Sequence, residues 1–265
     1  MTDDYPEHYA AGVEEGRVDG GASSLEFERT KELLDRFLPP PPASVLDVGG
    51  GPGAYSAWLT QSGFRTHLID PVPLHVEQAV ARATRLGLAY TAALGDARHL
   101  DQDADSWDAV LMLGPLYHLT KRNDRIQALR EARRVVRTDG IVAVATISRF
   151  ASLFDGVVYG YLDDPAFAKI VDRDLREGQH RNPTGNADWF TTAYFHRPEE
   201  IPDEFADAGL LLVGVFGIEG LGHLVPHLLD EPRGRGRLVR AARAIEAEPS
   251  LLGLSDHLLA IGRPG

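Results

Sequence analysis

The sequence predicts an α/β fold: a doubly wound, mostly parallel sheet of seven strands, with an antiparallel last strand and a helical lid over one edge. Three observations carry this. Short apolar runs alternate with amphipathic helical stretches five times between residues 25 and 148. The first of those runs ends in a glycine-rich turn that opens a helix. The fourth, Trp107 to Gly114, is almost continuously apolar, as strands buried on both faces are in a parallel sheet.

Taken in order, residues 1–24 are polar and broken by Gly12, Gly16, Gly20 and Gly21, and read as an amino-terminal flap carrying Tyr9. Phe27, Leu33, Leu34 and Phe37 then recur at helical spacing until four prolines, Pro39 to Pro42, stop the helix. Val45-Leu46-Asp47-Val48 is the first strand. It runs into Gly49-Gly50-Gly51-Pro52-Gly53, where glycine permits backbone dihedrals that a Cβ forbids and lets a ligand approach the main chain. The helix starting at Ala54 offers its first amides to electron-rich groups.

The second strand, residues 65–70, ends in Asp70 before Pro71, and a helix over 74–86 places Val76, Ala79, Val80 and Ala83 on one face. Residues 90–94 form the third strand, closed by Gly95-Asp96-Ala97 at the edge that also holds Gly51 and Asp70. After the fourth strand come Pro115-Leu116-Tyr117-His118, a helix over 122–136, a turn at Arg137-Thr138-Asp139-Gly140 and a fifth strand over 141–147. Residues 149–197 break the alternation and hold nine of the chain's 21 aromatics, so they read as a lid across the carboxyl edge. A helix, a strand over 211–216, a helix and a final strand over 257–262 complete the sheet. The organisation is one domain, 1–265, made of a flap (1–24), a cofactor-binding core (25–148), a lid (149–197) and the carboxy-terminal part of the sheet (198–265).

Composition narrows the function. A net charge of −12 argues against nucleic acid or an anionic membrane surface as partner. The absence of cysteine removes disulfides, thiolate metal sites and thiol nucleophiles. No secretory leader or membrane-spanning run is legible, so a cytoplasmic protein with a small-molecule substrate is expected. His223 and His227 are four apart, but Pro226 lies between them and no third ligand is evident, so no metal site is expected.

The turn alone fits two ligands. Gly49-x-Gly51-x-x-Ala54 satisfies a dinucleotide fingerprint, which an NAD(P)-dependent oxidoreductase would use. Asp70, at the end of the second strand, has two oxygens to accept from the hydroxyls of a ribose held against the turn. The order Asp47-x-Gly49-x-Gly51-x-Gly53, Asp70, Gly95-Asp96-Ala97, Asp108 to Leu113 and Arg134 to Gly140 resembles the class I S-adenosylmethionine-dependent methyltransferases, above all the group of the ubiquinone and menaquinone biosynthesis enzymes. Thr138-Asp139-Gly140 departs from that family's Pro-Gly-Gly turn. The resemblance implies a Rossmann-like methyltransferase fold and S-adenosylmethionine as cofactor. It also implies a cofactor-binding set of Asp47, Gly49, Gly51, Gly53, Asp70, Pro71, Asp96, Ala97 and Leu113. In that set Asp47 orients the ammonium, Asp70 holds the ribose, Asp96 and Ala97 take the adenine, and the Leu113 carbonyl lies beside the amine.

Methyl transfer from a sulfonium needs alignment more than acid–base chemistry. Tyr117 and His118 are the catalytic candidates, with His118 as base for an acceptor that must lose a proton. Tyr9, His118, Phe154, Trp189 and Tyr194 are the substrate-facing candidates. A protein that binds S-adenosylmethionine without transferring its methyl group is the remaining alternative.

Overall fold

The computed structural model describes residues 21–265. Its elements run α1 (Gly21–Leu34), β1 (Ser44–Val48), α2 (Ala54–Gln61), β2 (Arg65–Asp70), α3 (Pro73–Leu86), β3 (Thr91–Leu94) and β4 (Trp107–Met112). A single helical turn α4 (Pro115–His118), α5 (Arg122–Val135) and β5 (Val136–Ser148) follow. The second half holds α6 (Ala151–Val158), α7 (Pro165–Glu177), β6 (Gln179–His180), β7 (Ala193–His196), α8 (Glu200–Asp207), β8 (Leu210–Gly217), α9 (Pro232–Ile245) and β9 (His257–Pro264). Tyr9 and the rest of the flap up to residue 20 lie outside the described residues.

Seven of the nine connected strands run in the order β3-β2-β1-β4-β5-β9-β8, and β7 and β6 branch from the end of β5. All pairs from β3 to β5 are parallel, and β9 is antiparallel to both its neighbours. Alternate residues feed opposite faces. Leu46, Val110, Met112, Val142 and Val144 pack into one core, while Val45, Ala109, Leu111, Ile141 and Ala143 pack into the other. That two-sided burial is why β4 reads as an unbroken apolar run. The strand order reverses between β1 and β4, so the crevice beyond their carboxyl ends is where this topology opens a ligand site.

Three local expectations are corrected. Arg137 to Gly140 is not a turn ahead of the fifth strand but an excursion within it: Trp107 pairs with Val136 and Ala109 with Ile141, so four residues bulge opposite Asp108. Arg137 reaches back to the Asp108 carboxylate across that bulge. Val80, expected on the packed face of α3, is 48% exposed, and His75 is buried in its place.

The third correction concerns residues 149–197, which are not a purely helical lid. They contain the antiparallel pair β6–β7, and β7 joins β5 in parallel through Ile147 with Phe195 and Ser148 with His196. Because β9 takes the other edge of β5 through His257 at Ile147, β7 must occupy the edge that β4 vacates after Met112. The insertion therefore stands directly above the end of β4 and packs on α4, where Tyr117 shares a cluster with Ile147, Ala193 and Phe195.

Candidate active site

An open cleft of about 1080 Å³ lies beyond the carboxyl ends of β1, β2, β3 and β4. The glycine turn forms its floor. Gly49, Gly51 and Gly53 have φ of +70°, +54° and +81°, the left-handed region that disfavours any side chain. Gly49 is also under Pro115, since a Cβ there would stand 2.5 Å from the proline ring. At Gly51 a Cβ would meet nothing within 4 Å, so this is the point where a ligand reaches bare backbone.

Asp47 sits at the back of the cleft, 1% exposed. One oxygen accepts the Ser56 hydroxyl at 2.7 Å, and the other is buried with no hydrogen-bond partner among the described residues. Burial pushes its pKa up to about 6, against the help of Ser56 and with a further push from Asp70. An orphaned carboxylate oxygen in a cleft marks a place for a donor that the protein itself lacks.

Asp70 is already engaged. Its Oδ2 accepts from the Gly51 amide at 2.9 Å, and its Oδ1 accepts from the Val72 amide at 2.9 Å and His75 Nδ1 at 3.1 Å. A carboxylate has about four lone-pair positions. One therefore remains, on Oδ2, where both oxygens were expected to await a diol. Asp96 is half-exposed and clamped by its neighbour Arg98, which donates from its amide and guanidinium and holds the carboxyl below its ordinary pKa.

The opposite wall is the end of β4 and the turn α4. The Leu113 carbonyl accepts the Tyr117 hydroxyl at 3.3 Å. Tyr117 and His118 are buried, with ring centroids 4.7 Å apart, and Phe190 from the insertion stacks on His118 at 6.1 Å. Phe190 has φ +60°, ψ −179°, a conformation that costs on the order of 1–3 kcal/mol for a non-glycine residue. Asn182 fixes that backbone by donating to the Phe190 carbonyl at 2.9 Å.

The cleft thus gathers Asp47, Gly49, Gly51, Asp70, Pro71, Asp96, Ala97, Leu113, Tyr117 and His118. Gly53 does not line it: a Cβ there would lie 2.8 Å from the Tyr90 hydroxyl and 3.2 Å from Ala79, so this glycine lets α2 approach α3. Three of the substrate-facing candidates are not among the residues lining the cleft. Trp189 is buried in a satellite core with Phe167 and Ile170. Tyr194 is sandwiched by Arg125 and donates to Glu200 at 3.1 Å. Phe154 packs against His223 and Phe150. The aromatics of the insertion pack among themselves and onto α4, α5 and His223, and Phe190 is the one that stacks on His118.

Sequence reasoning missed several lining residues. Tyr55, in the first turn of α2, lines the cleft, and the buried Ser56 beside it acts there only through its hydrogen bond to Asp47. His75 and Arg82 line the cleft from α3. A spacing of seven brings them onto one face two turns apart.

Residues 45–140 match the family model described as a methyltransferase domain. The chain is 31% identical over 166 residues to the methyltransferase GfsG of Streptomyces halstedii, an alignment covering 62% of this chain and 55% of the relative. It is 30% identical over 128 residues to a ubiquinone biosynthesis O-methyltransferase of Methylocella silvestris, covering 48% and 49% of the two chains. A solved S-adenosylmethionine-dependent methyltransferase from Methanosarcina mazei superposes with a TM-score of 0.61 at 16% identity, covering 88% of this chain and 96% of that one. Residues 45–140 thus carry a methyltransferase domain, and the chain is similar to the class I S-adenosylmethionine-dependent methyltransferases. It spans about half the length of the curated relatives it matches.

S-adenosylmethionine is the cofactor this likeness points to, and the residues present fit it. The unpartnered Asp47 oxygen suits a cationic ammonium, and Gly51 leaves open the place where the cofactor must lie against the main chain. The remaining Asp70 lone pair suits a ribose hydroxyl.

Proposed function

We propose that the protein transfers the methyl group of S-adenosylmethionine to a small organic acceptor bound between the glycine turn and α4. The observation that carries this is the buried Asp47 oxygen without a partner, facing a cleft whose other wall presents Tyr117 and His118. When bound, the cofactor supplies an activated methyl on a sulfonium. The chain's own residues have the tasks of holding it, aligning the acceptor and keeping water out.

In this reading Asp47 takes the ammonium and the Gly49 to Gly51 backbone lies under the methionine portion. Asp70, with Pro71 beside it, holds the ribose through its remaining lone pair. Asp96 accepts from the adenine amino group by yielding part of its Arg98 pairing, and the Ala97 amide completes that subsite. His118, wedged between Tyr117 and Phe190, accepts the proton of a hydroxyl or amine acceptor as it is methylated. The overall charge of −12 and the enclosed α4 wall favour a small neutral or cationic acceptor over a nucleic acid.

Calorimetric titration with S-adenosylhomocysteine, S-adenosylmethionine and NAD tests the cofactor, followed by release of S-adenosylhomocysteine over a panel of phenols and amines. Binding of the first two and turnover lost in His118→Ala is the expected result. Binding without turnover on any acceptor would leave a non-catalytic cofactor-binding protein, and NAD binding alone would overturn the reading.

A further inference from the structure

His75 lies on the buried stripe of α3 with Ala79 and Ala83, 4% exposed. A leucine would fill that stripe without desolvating a polar ring, so a histidine there needs a hydrogen bond to offset its burial. Asp70 supplies it. Val72 caps α3 in an extended conformation and Pro73 opens the helix with its φ already fixed. Helical side chains lean toward the amino terminus, so His75, in the first turn, reaches back over the helix entry to Asp70 Oδ1 at 3.1 Å. A carboxylate only accepts, which puts the proton on Nδ1.

On the reading of Asp70 as the ribose acceptor, the geometry points to His75 as the positioning residue of the ribose subsite, which thereby holds one ribose hydroxyl and leaves the other unread. The Val72 amide and His75 together fill Oδ1, and the Gly51 amide takes one side of Oδ2. Three donors, from the β2–α3 link, from α3 and from the glycine turn, fix both the place and the plane of the carboxylate. The two amides alone would leave each oxygen open to a hydroxyl. His75 removes that choice: the one acceptor position left is on Oδ2, the oxygen already tied to the glycine turn. Both Asp70 and His75 line the cleft, so the selection is made at its wall.

Calorimetric titration of the full chain with S-adenosylhomocysteine and its 2′-deoxy and 3′-deoxy analogues tests this. In the unsubstituted chain one analogue is expected to bind about tenfold or more weaker than S-adenosylhomocysteine and the other within about threefold of it, because only one of them loses a hydrogen bond to a charged group. His75→Leu reopens Oδ1, and the gap between the two analogues is expected to close to about threefold or less. His75→Met, also without a donor but more adaptable in packing, is expected to do the same, so the result does not hang on one variant folding. His75→Asn, whose side-chain amide stands near the place of Nδ1, is expected to restore most of the gap. A gap that His75→Leu or His75→Met leaves unchanged, with all three ligands weakened alike, would give His75 a packing role and overturn the assignment. Equal weakening of both analogues in the unsubstituted chain would overturn the single-hydroxyl subsite. Failure of the ribose reading itself has a different signature, namely S-adenosylhomocysteine binding with neither analogue weakened, and it would take the role of His75 with it.

Discussion

At the carboxyl ends of β1 and β4, Asp47 keeps one carboxylate oxygen without a partner and Gly51 leaves its surroundings open. In residues 149–197 and the helices beneath them, buried polar side chains are bound to one another. Ser152 and His180 both meet Asp174 Oδ2 at 2.7 Å, and Arg149 and Tyr194 both meet Glu200. Arg125 meets Glu204, whose carboxyl burial would raise but His196 and Arg125 together hold at about 2. Both regions leave some buried polar atoms without a partner among the described residues, Asp174 Oδ1, Trp189 Nε1 and His196 Nδ1 in the insertion, but Asp47 Oδ1 belongs to a residue lining an open cleft beside bare backbone. Density of aromatic or charged residues therefore does not locate a site; unspent capacity beside a backbone that a ligand can reach does.

The contrast breaks most visibly at the self-bound network. Arg125 and Glu204 are 2% and 3% exposed and joined at 2.6 Å. Arg125→Ala leaves a carboxylate buried beside His196, and a loss of about 3–5 kcal/mol in urea unfolding is expected. At the ligand-facing edge the same kind of truncation should be read in binding. Asp70→Ala removes the acceptor of the Gly51 and Val72 amides and the proposed ribose contact, and S-adenosylhomocysteine affinity is expected to fall by about 3 kcal/mol, roughly a hundredfold. If that variant lost stability but bound normally, Asp70 would belong with the self-bound group.

How legible each region is in the sequence follows from the same physics. The succession of strands to β5, the antiparallel β9 and the cleft positions of Asp47, Asp70 and Asp96 were readable because each depends on local pattern: two-sided burial, a glycine turn, an acid at a strand end. The insertion was not. β6 has two residues and β7 four, and β7 exists because Phe195 and His196 find the edge of β5 that β4 leaves open, a contact nearly fifty residues away along the chain. The bulge at 137–140 was missed for a related reason, since Asp139-Gly140 reads as a turn whether or not the strand continues around it. Trp189 and Tyr194 fit a lid or a satellite core equally well by composition, and only their partners decide.

A paired glycine experiment sharpens the comparison at residue scale. Gly51 and Gly53 share a left-handed conformation, so alanine at either carries a similar backbone cost of about 1–2 kcal/mol. They differ in what the new Cβ meets: open cleft at Gly51, and Tyr90 with Ala79 at Gly53. Gly51→Ala is expected to weaken S-adenosylhomocysteine binding beyond its effect on melting temperature. Gly53→Ala is expected to add about 1–3 kcal/mol of overpacking to the stability loss and to change binding little once the protein is folded. Equal effects on both measurements in both variants would remove the distinction between cradle and packing glycine.

The gentlest probe is pH, because Asp47 titrates at about 6 when folded against an ordinary value near ~3.9. Between those values the folded state holds the proton more tightly than the unfolded chain does. The stability from this group is therefore complete at low pH and declines as pH rises through the window to about 6. Ligand binding runs in the opposite direction, since only the ionised carboxylate attracts an ammonium. From pH 5 to pH 7 the ionised share rises from roughly one-tenth to nine-tenths, so S-adenosylhomocysteine affinity should rise by about tenfold. Asp47→Asn should flatten both curves, weakening binding at pH 7 while removing the decline in stability. A wild-type affinity that is level across this range would mean that the buried oxygen serves the packing of β1 against α2 and has no part in holding the ligand.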